Sequence, residues 1–135
     1  MSRSMSAASL VLGLLVSLTT ACKSGASEPP APPRFTGPVT AERVVKAGAI
    51  ADQDDLSWTR AVALIEAEAG APITSNGDLR SWGVVENDTC TYLEIEKSKK
   101  RDAVGSVSKQ PLIKKADFEG GGGNYAVCVA KVQAK

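Results

Sequence analysis

Leu56-Ser57-Trp58-Thr59-Arg60-Ala61-Val62-Ala63-Leu64-Ile65-Glu66-Ala67-Glu68-Ala69-Gly70-Ala71-Pro72 is the stretch from which the fold can be read. Trp58, Ala61, Val62, Ile65 and Ala69 fall at spacings of 3, 4, 7 and 11 from the tryptophan, which places them in one apolar stripe along a helix from about Leu56 to Ala69. Arg60, Ala63 and Glu66 or Glu68 stand on the opposite face. Asp54, Asp55 or Ser57 can cap the start, and Gly70 before Pro72 closes the end. Such a stripe is core unless nothing covers it, so the cover must come from the rest of the chain.

Upstream, Thr40 can cap a shorter helix over Ala41 to Ala47, with Glu42 in its first turn, Lys46 in its last and Gly48 as the stop. Downstream of Pro72 the apolar period changes. Asn76-Gly77 is a turn signal, and Arg80 to Glu86 with Trp82, Val84 and Val85 has the composition of a strand. Asn87-Asp88 tolerates the positive φ of a tight hairpin turn, and Thr89 to Lys97 returns as a second strand. Leu93 and Ile95 are expected to face the helices, which leaves Cys90 on the other face or at a strand end. Lys97-Ser98-Lys99-Lys100-Arg101-Asp102 is a charged connection to a weak strand over Ala103 to Val107. Lys109 to Gly123 is expected to be a long loop, since the glycines from Gly120 to Gly123 cannot hold regular structure cheaply. A last strand is expected over Asn124 to Val132. The fold class is α+β: one or two short N-terminal helices packed on a small three- to four-stranded antiparallel sheet.

Few residues announce chemistry. The chain has no histidine, so it lacks the usual general base and the commonest transition-metal ligand. Ser106-Val107-Ser108-Lys109 has S-x-x-K spacing without the companion motifs of penicillin-binding enzymes. Asp52 and Asp54 start like a calcium loop, but glycine is missing from the sixth position and Ala63 stands at the twelfth, where a bidentate Glu belongs. Glu94 and Glu96 point the same way from one strand, the arrangement of a solvated face more often than of a carboxylate pair. Lys97, Lys99, Lys100 and Arg101, followed by Lys109, Lys114 and Lys115, form the one local charge asymmetry, a contact surface for lipid phosphates or an acidic partner if it is more than a solvated loop. No aromatics interleave the cluster, which disfavours nucleic acid. No catalytic residue, metal site or cofactor is expected.

The N-terminus carries a different kind of information. Arg3, then the apolar run Ala7 to Leu18, then small residues, follow the order of an export signal, and the run of about a dozen residues is short of the 20 or so that cross a bilayer. Leu18-Thr19-Thr20-Ala21-Cys22 resembles the lipobox of bacterial lipoproteins, in which the cysteine receives a diacylglycerol and becomes the new N-terminus. Leu18 stands one residue further from the cysteine than is usual in that family. The resemblance implies a signal peptide over residues 1–21 and a lipidated cysteine with a Pro-rich tether over 22–38. It also implies an outer-membrane location facing the periplasm, because Lys23 is not the Asp that favours inner-membrane retention. An ordinary signal peptide cut after Ala21, with the product secreted or at the cell surface, is the alternative. Without the leader, the 15 acidic residues meet an equal number of basic ones, so no global field attracts a polyanion. Five of the seven prolines lie in the tether, and residues 39–135 remain for one domain.

Three cysteines in an exported chain leave one over. Lipidation of Cys22 removes the odd one and leaves Cys90 and Cys128 as a pair, a bridge contributing roughly 4 kcal/mol on the loop-entropy model. Ala61-Val62 to Ile65, Gly70-Ala71-Pro72, Trp82 and the runs Thr89 to Glu96 and Tyr125 to Val132 together resemble the repeat of the SmpA/OmlA outer-membrane assembly lipoproteins and of the β-lactamase inhibitor protein. That resemblance implies a helical pair on an antiparallel sheet, a protein-binding module and no catalysis. The expectation is a lipid-anchored, non-enzymatic envelope protein that binds an envelope protein partner. A periplasmic inhibitor, a small hydrolase and a purely structural lipoprotein are the alternatives.

Overall fold

The computed structural model describes residues 30–117 and 124–134, and its folded unit spans Ala31–Lys135. The leader, Cys22, the Pro-rich segment up to Pro29 and the glycine run lie outside the described residues. Two helices, α1 (Ala41–Ala51) and α2 (Trp58–Ala69), precede four strands, β1 (Thr74–Asn76), β2 (Leu79–Glu86), β3 (Thr89–Lys97) and β4 (Val104–Lys114). A short turn of helix, α3 (Lys115–Asp117), and a longer helix, α4 (Asn124–Gln133), follow. The strands form one antiparallel sheet in the order β1-β2-β3-β4. The fold is α+β, but its helices are not all N-terminal.

The opening stripe behaves as its spacing requires. Ser57 Oγ accepts from the Arg60 amide at 3.1 Å, and Trp58, Ala61, Ile65 and Ala69 are buried along α2. Gly70 takes φ 83°, a conformation side chains resist, and a Cβ there would also press on the Phe35 carbonyl at 3.2 Å. The cover is the sheet. In the β2–β3 register Trp82 lies opposite Leu93 and Arg80 opposite Ile95, so Trp82, Leu93 and Ile95 share the face that meets Val44, Ala47 and Ala51 of α1 and Ile65 and Ala69 of α2. Trp82 Nε1 donates to the Gly70 carbonyl at 2.9 Å, which fastens the end of α2 to the centre of the sheet.

Helix α1 outruns its expected stop. Gly48 is buried in the same stripe as Ala41, Val44, Ala47 and Ala51, and a Cβ on it would stand 3.0 Å from Lys109 Cδ. Its lack of a side chain serves close packing, and the apolar Ala49-Ile50-Ala51 carries the helix on to Asp52. Thr40 caps it, its Oγ1 accepting from the Arg43 amide at 3.3 Å, and Glu86 at the end of β2 accepts from the Ala41 amide at 3.0 Å. Arg34 and Phe35, inside the stretch read as tether, are held to α2. The Phe35 amide donates to the Glu66 carbonyl at 2.9 Å, and the Arg43 guanidinium lies 3.7 Å from the Phe35 ring centre.

Two expectations for the C-terminal third are overturned. β4 runs to Lys114, where a loop was expected from Lys109, because β3 has a full second edge to satisfy and takes an eleven-residue partner. A bulge permits it: Pro111 and Leu112 together oppose Thr91, Leu112 takes φ 50°, and its amide donates to the buried Thr91 hydroxyl at 3.3 Å. The segment from Asn124, expected as a strand, is α4. Cys90 and Tyr92 point away from the helix pair, and α4 covers them with Cys128, Tyr125, Val129 and Val132. Tyr125, Cys128, Val129 and Val132 recur at helical spacing, so a helix presents all four to the sheet where a strand would split them between two faces. The Cys90–Cys128 bridge, Cα to Cα 6.1 Å, joins α4 to β3. Cys128 therefore reaches Cys90 from a layer above it and not from a neighbouring strand.

Candidate functional site

Both sheet faces carry helices, and what is left open is an edge. β4 is the outermost strand, and among the described residues nothing pairs with its outer side. The opposite edge is shared by β1, only three residues long, and by Trp82 to Glu86 of β2, which β1 does not reach. Beside β4, on the helix-pair face, α1 stops short of the edge and leaves a groove of about 240 Å³. Its floor is Val44, Thr91 and Leu93 and its walls are Val45, Ala49 and Pro111. Lys109 closes one end by pairing with Asp52. Val45 is 39% exposed, one of the few large apolar side chains so placed. Next along the edge lies a polar pocket of about 290 Å³ between the α1–α2 connection and β4, bordered by Gln53, Asp54, Arg101 and Gly105.

The basic cluster sits at the start of this edge. Lys97 ends β3, and Ser98 to Asp102 make the turn into β4, held by the Ser98 amide on the Ala103 carbonyl at 2.8 Å. Lys99 stands 4.0 Å from Glu96, both exposed enough for solvent to weaken the pair. Lys97, Lys100 and Arg101 form no ion pair among the described residues. The structure thus brings Lys97, Lys99, Lys100 and Arg101 together and carries Lys114 and Lys115 to the far end of β4. There, with Asn87, Asp88 and Thr89, they border an open depression of about 540 Å³. The hairpin turn has the backbone its residues suggest, with Asn87 at φ 51° and Asp88 at φ 57°.

The other motifs are not assembled into chemistry. Ser106 and Lys109 lie three apart in an extended strand, hence on opposite faces. Glu94 and Glu96 share the α4 face of β3, but Glu96 opens on a shallow surface depression beside Lys97 and Ser98. Asp52 is committed to Lys109, and no group of three or more metal-ligating residues occurs among the described residues. No helix among them is long and apolar enough to cross a membrane. Tyr92 is the titratable group whose surroundings act on it most clearly. Burial under α4 pushes its phenol above the usual tyrosine value, the Ser81 hydroxyl pulls the other way, and the Glu94 charge adds to the rise. Lys131 of α4 lies 5.3 Å from the Tyr92 ring centre.

The groove was not legible in the sequence, because its walls come from residues 45–49 and 109–111, far apart in the chain. Comparison with protein-family models, curated proteins and solved structures finds no match to this chain.

Proposed function

We propose that the chain is an exported, lipid-anchored envelope protein whose α+β domain binds another protein and catalyses no reaction. The observation that carries this reading is the bridge between Cys90 and Cys128, both fully buried. Such bonds form and persist in oxidising compartments, and with this one made Cys22 is the remaining thiol. Its place after an apolar run and small residues is the place of a lipidated cysteine, and the proline-rich segment then spaces the domain from the membrane. By the same resemblance the membrane is the outer one and the domain faces the periplasm. The binding role draws support from the open β4 edge and its groove, an arrangement suited to a polypeptide ligand. Labelling growing cells with a fatty acid tests the anchor: wild type takes up label and Cys22→Ser does not. Equal labelling of the two would sink it.

A further inference from the structure

We infer that the outer edge of β4 receives an extended segment of a partner protein as an antiparallel fifth strand, with acidic residues following that segment. The inference rests on the protein-binding reading above and names the surface and the chemistry. A sheet edge offers a row of unpaired amides and carbonyls, and native proteins block such rows with lysine, proline, bulges or shortness unless the row is used. Here β1 is blocked by its length. In β4 Lys109, Pro111 and the bulge at Leu112 lie in the C-terminal half; the N-terminal half has a register shift at Gly105, but no lysine or proline interrupts Val104-Gly105-Ser106-Val107-Ser108.

A strand laid along that edge continues the sheet, so alternate side chains project toward α1. Those side chains repeat every two residues, about 7 Å, along an edge that passes first the apolar groove at Val45 and Pro111 and then the polar pocket at Gln53 and Arg101. An apolar side chain toward the groove and, nearer the ligand's C-terminal end, a polar one toward the pocket fit that order of sites. Every pair in this sheet is antiparallel, and the added strand in the same sense brings its C-terminal end to the turn before β4. Lys97, Lys99, Lys100 and Arg101 are gathered there against Glu96, Asp102 and the pocket's Asp54, with three of the four cations free of ion pairs among the described residues. Acidic residues at that end of the ligand complete the pairing.

The probe is a labelled peptide as long as β4 whose side chains on the α1-facing side are Val toward the groove and Thr toward the polar pocket, ending in two Asp, titrated into the purified full chain with its disulfide intact and read by fluorescence anisotropy. Replacing its two Asp by Lys is expected to weaken binding about tenfold at low salt, as is Val45→Asp in the protein, whose fold is checked by circular dichroism. The decisive readout is N-methylation of alternate peptide amides. One set of positions faces β4 and its methylation abolishes binding, whereas the other set faces solvent and leaves affinity within about threefold. Equal effects of the two sets overturn the proposal, and so does absence of binding by the Asp peptide. A dimer of the chain that Val45→Asp dissociates also overturns it, since the occupant is then a second copy. A photoreactive residue at Ser108 and another at Thr59 on the exposed side of α2 separate this inference from its premise. Capture of a protein in cells from Thr59 and not from Ser108 sinks edge docking and leaves a binding module standing.

Discussion

Gly83 sits in the middle of β2 under α4, and replacing it with alanine should destabilise the protein although alanine ordinarily improves a strand. Glycine in a strand interior costs about 0.5–1 kcal/mol relative to alanine, so on backbone grounds alone Gly83→Ala would stabilise. The structure reverses the sign. An added Cβ would stand 2.7 Å from Val132 Cγ2 and 2.9 Å from the Thr91 carbonyl oxygen, with Tyr92 Cδ1 at 3.2 Å. Val132 is stiff at χ1 and the carbonyl belongs to the sheet, so neither gives way without moving α4 or the ladder. Overpacking of this kind costs about 1–3 kcal/mol, which leaves roughly 1–2 kcal/mol of net destabilisation after the backbone gain. For a domain near 100 residues that is a fall in Tm of about 5–15 °C. Thermal and urea melts of the oxidised protein measure it, and Val132→Ala supplies the control. In the Val132→Ala background the penalty of Gly83→Ala should shrink by at least about 0.5 kcal/mol, because one of the two hard contacts is gone. A Gly83→Ala protein as stable as wild type, or more stable, would refute the seating of α4 on this strand.

Replacing Cys90 and Cys128 together by alanine should lower stability by about 4 kcal/mol from chain entropy over the 38-residue separation, read by urea titration against the oxidised protein. Trp82→Phe leaves the Gly70 carbonyl without its indole donor and a void beside Ile65. A loss of about 2–4 kcal/mol is expected, and a loss under about 0.5 kcal/mol would show the bond to be dispensable. Tyr92 keeps its proton to higher pH when folded than when unfolded, so the native state binds more protons than the unfolded state above about pH 10 and stability falls as pH rises there. Tyr92→Phe should flatten that alkaline slope. A slope unchanged in the variant would assign it to other groups.

What could be read from the sequence and what could not divides along the number of partners each element has. The helix at Trp58 to Ala69 and the hairpin through Asn87-Asp88 are written in local periods and turn residues, so they are legible without tertiary information. The end of α1 and the length of β4 are not. Gly48 signals a stop until Lys109 is known to lie across it, and Pro111 with Leu112 hides the strand because a bulge breaks the two-residue period. Residues 124–132 carry both periods at once, Tyr125-Val127-Val129 alternating and Tyr125-Cys128-Val129-Val132 helical. A sheet face needing cover decides between them, and Gly83 is the trace of that decision in the sequence. The basic cluster at Lys97 to Arg101 was visible as residues, but its position at the mouth of an open edge was not. That position depends on where α1 ends relative to β4.

The crossing of α4 also bears on how the molecule is made. Within the sheet each strand pairs with its neighbour in the chain, in the order in which they are synthesised, and such local pairing favours rapid folding. α4 must travel back over the far face of the sheet, and a ten-residue helix is too short to persist by itself. The bond between Cys90 and Cys128 acts as a latch that holds this short helix on a sheet whose own strands pair locally.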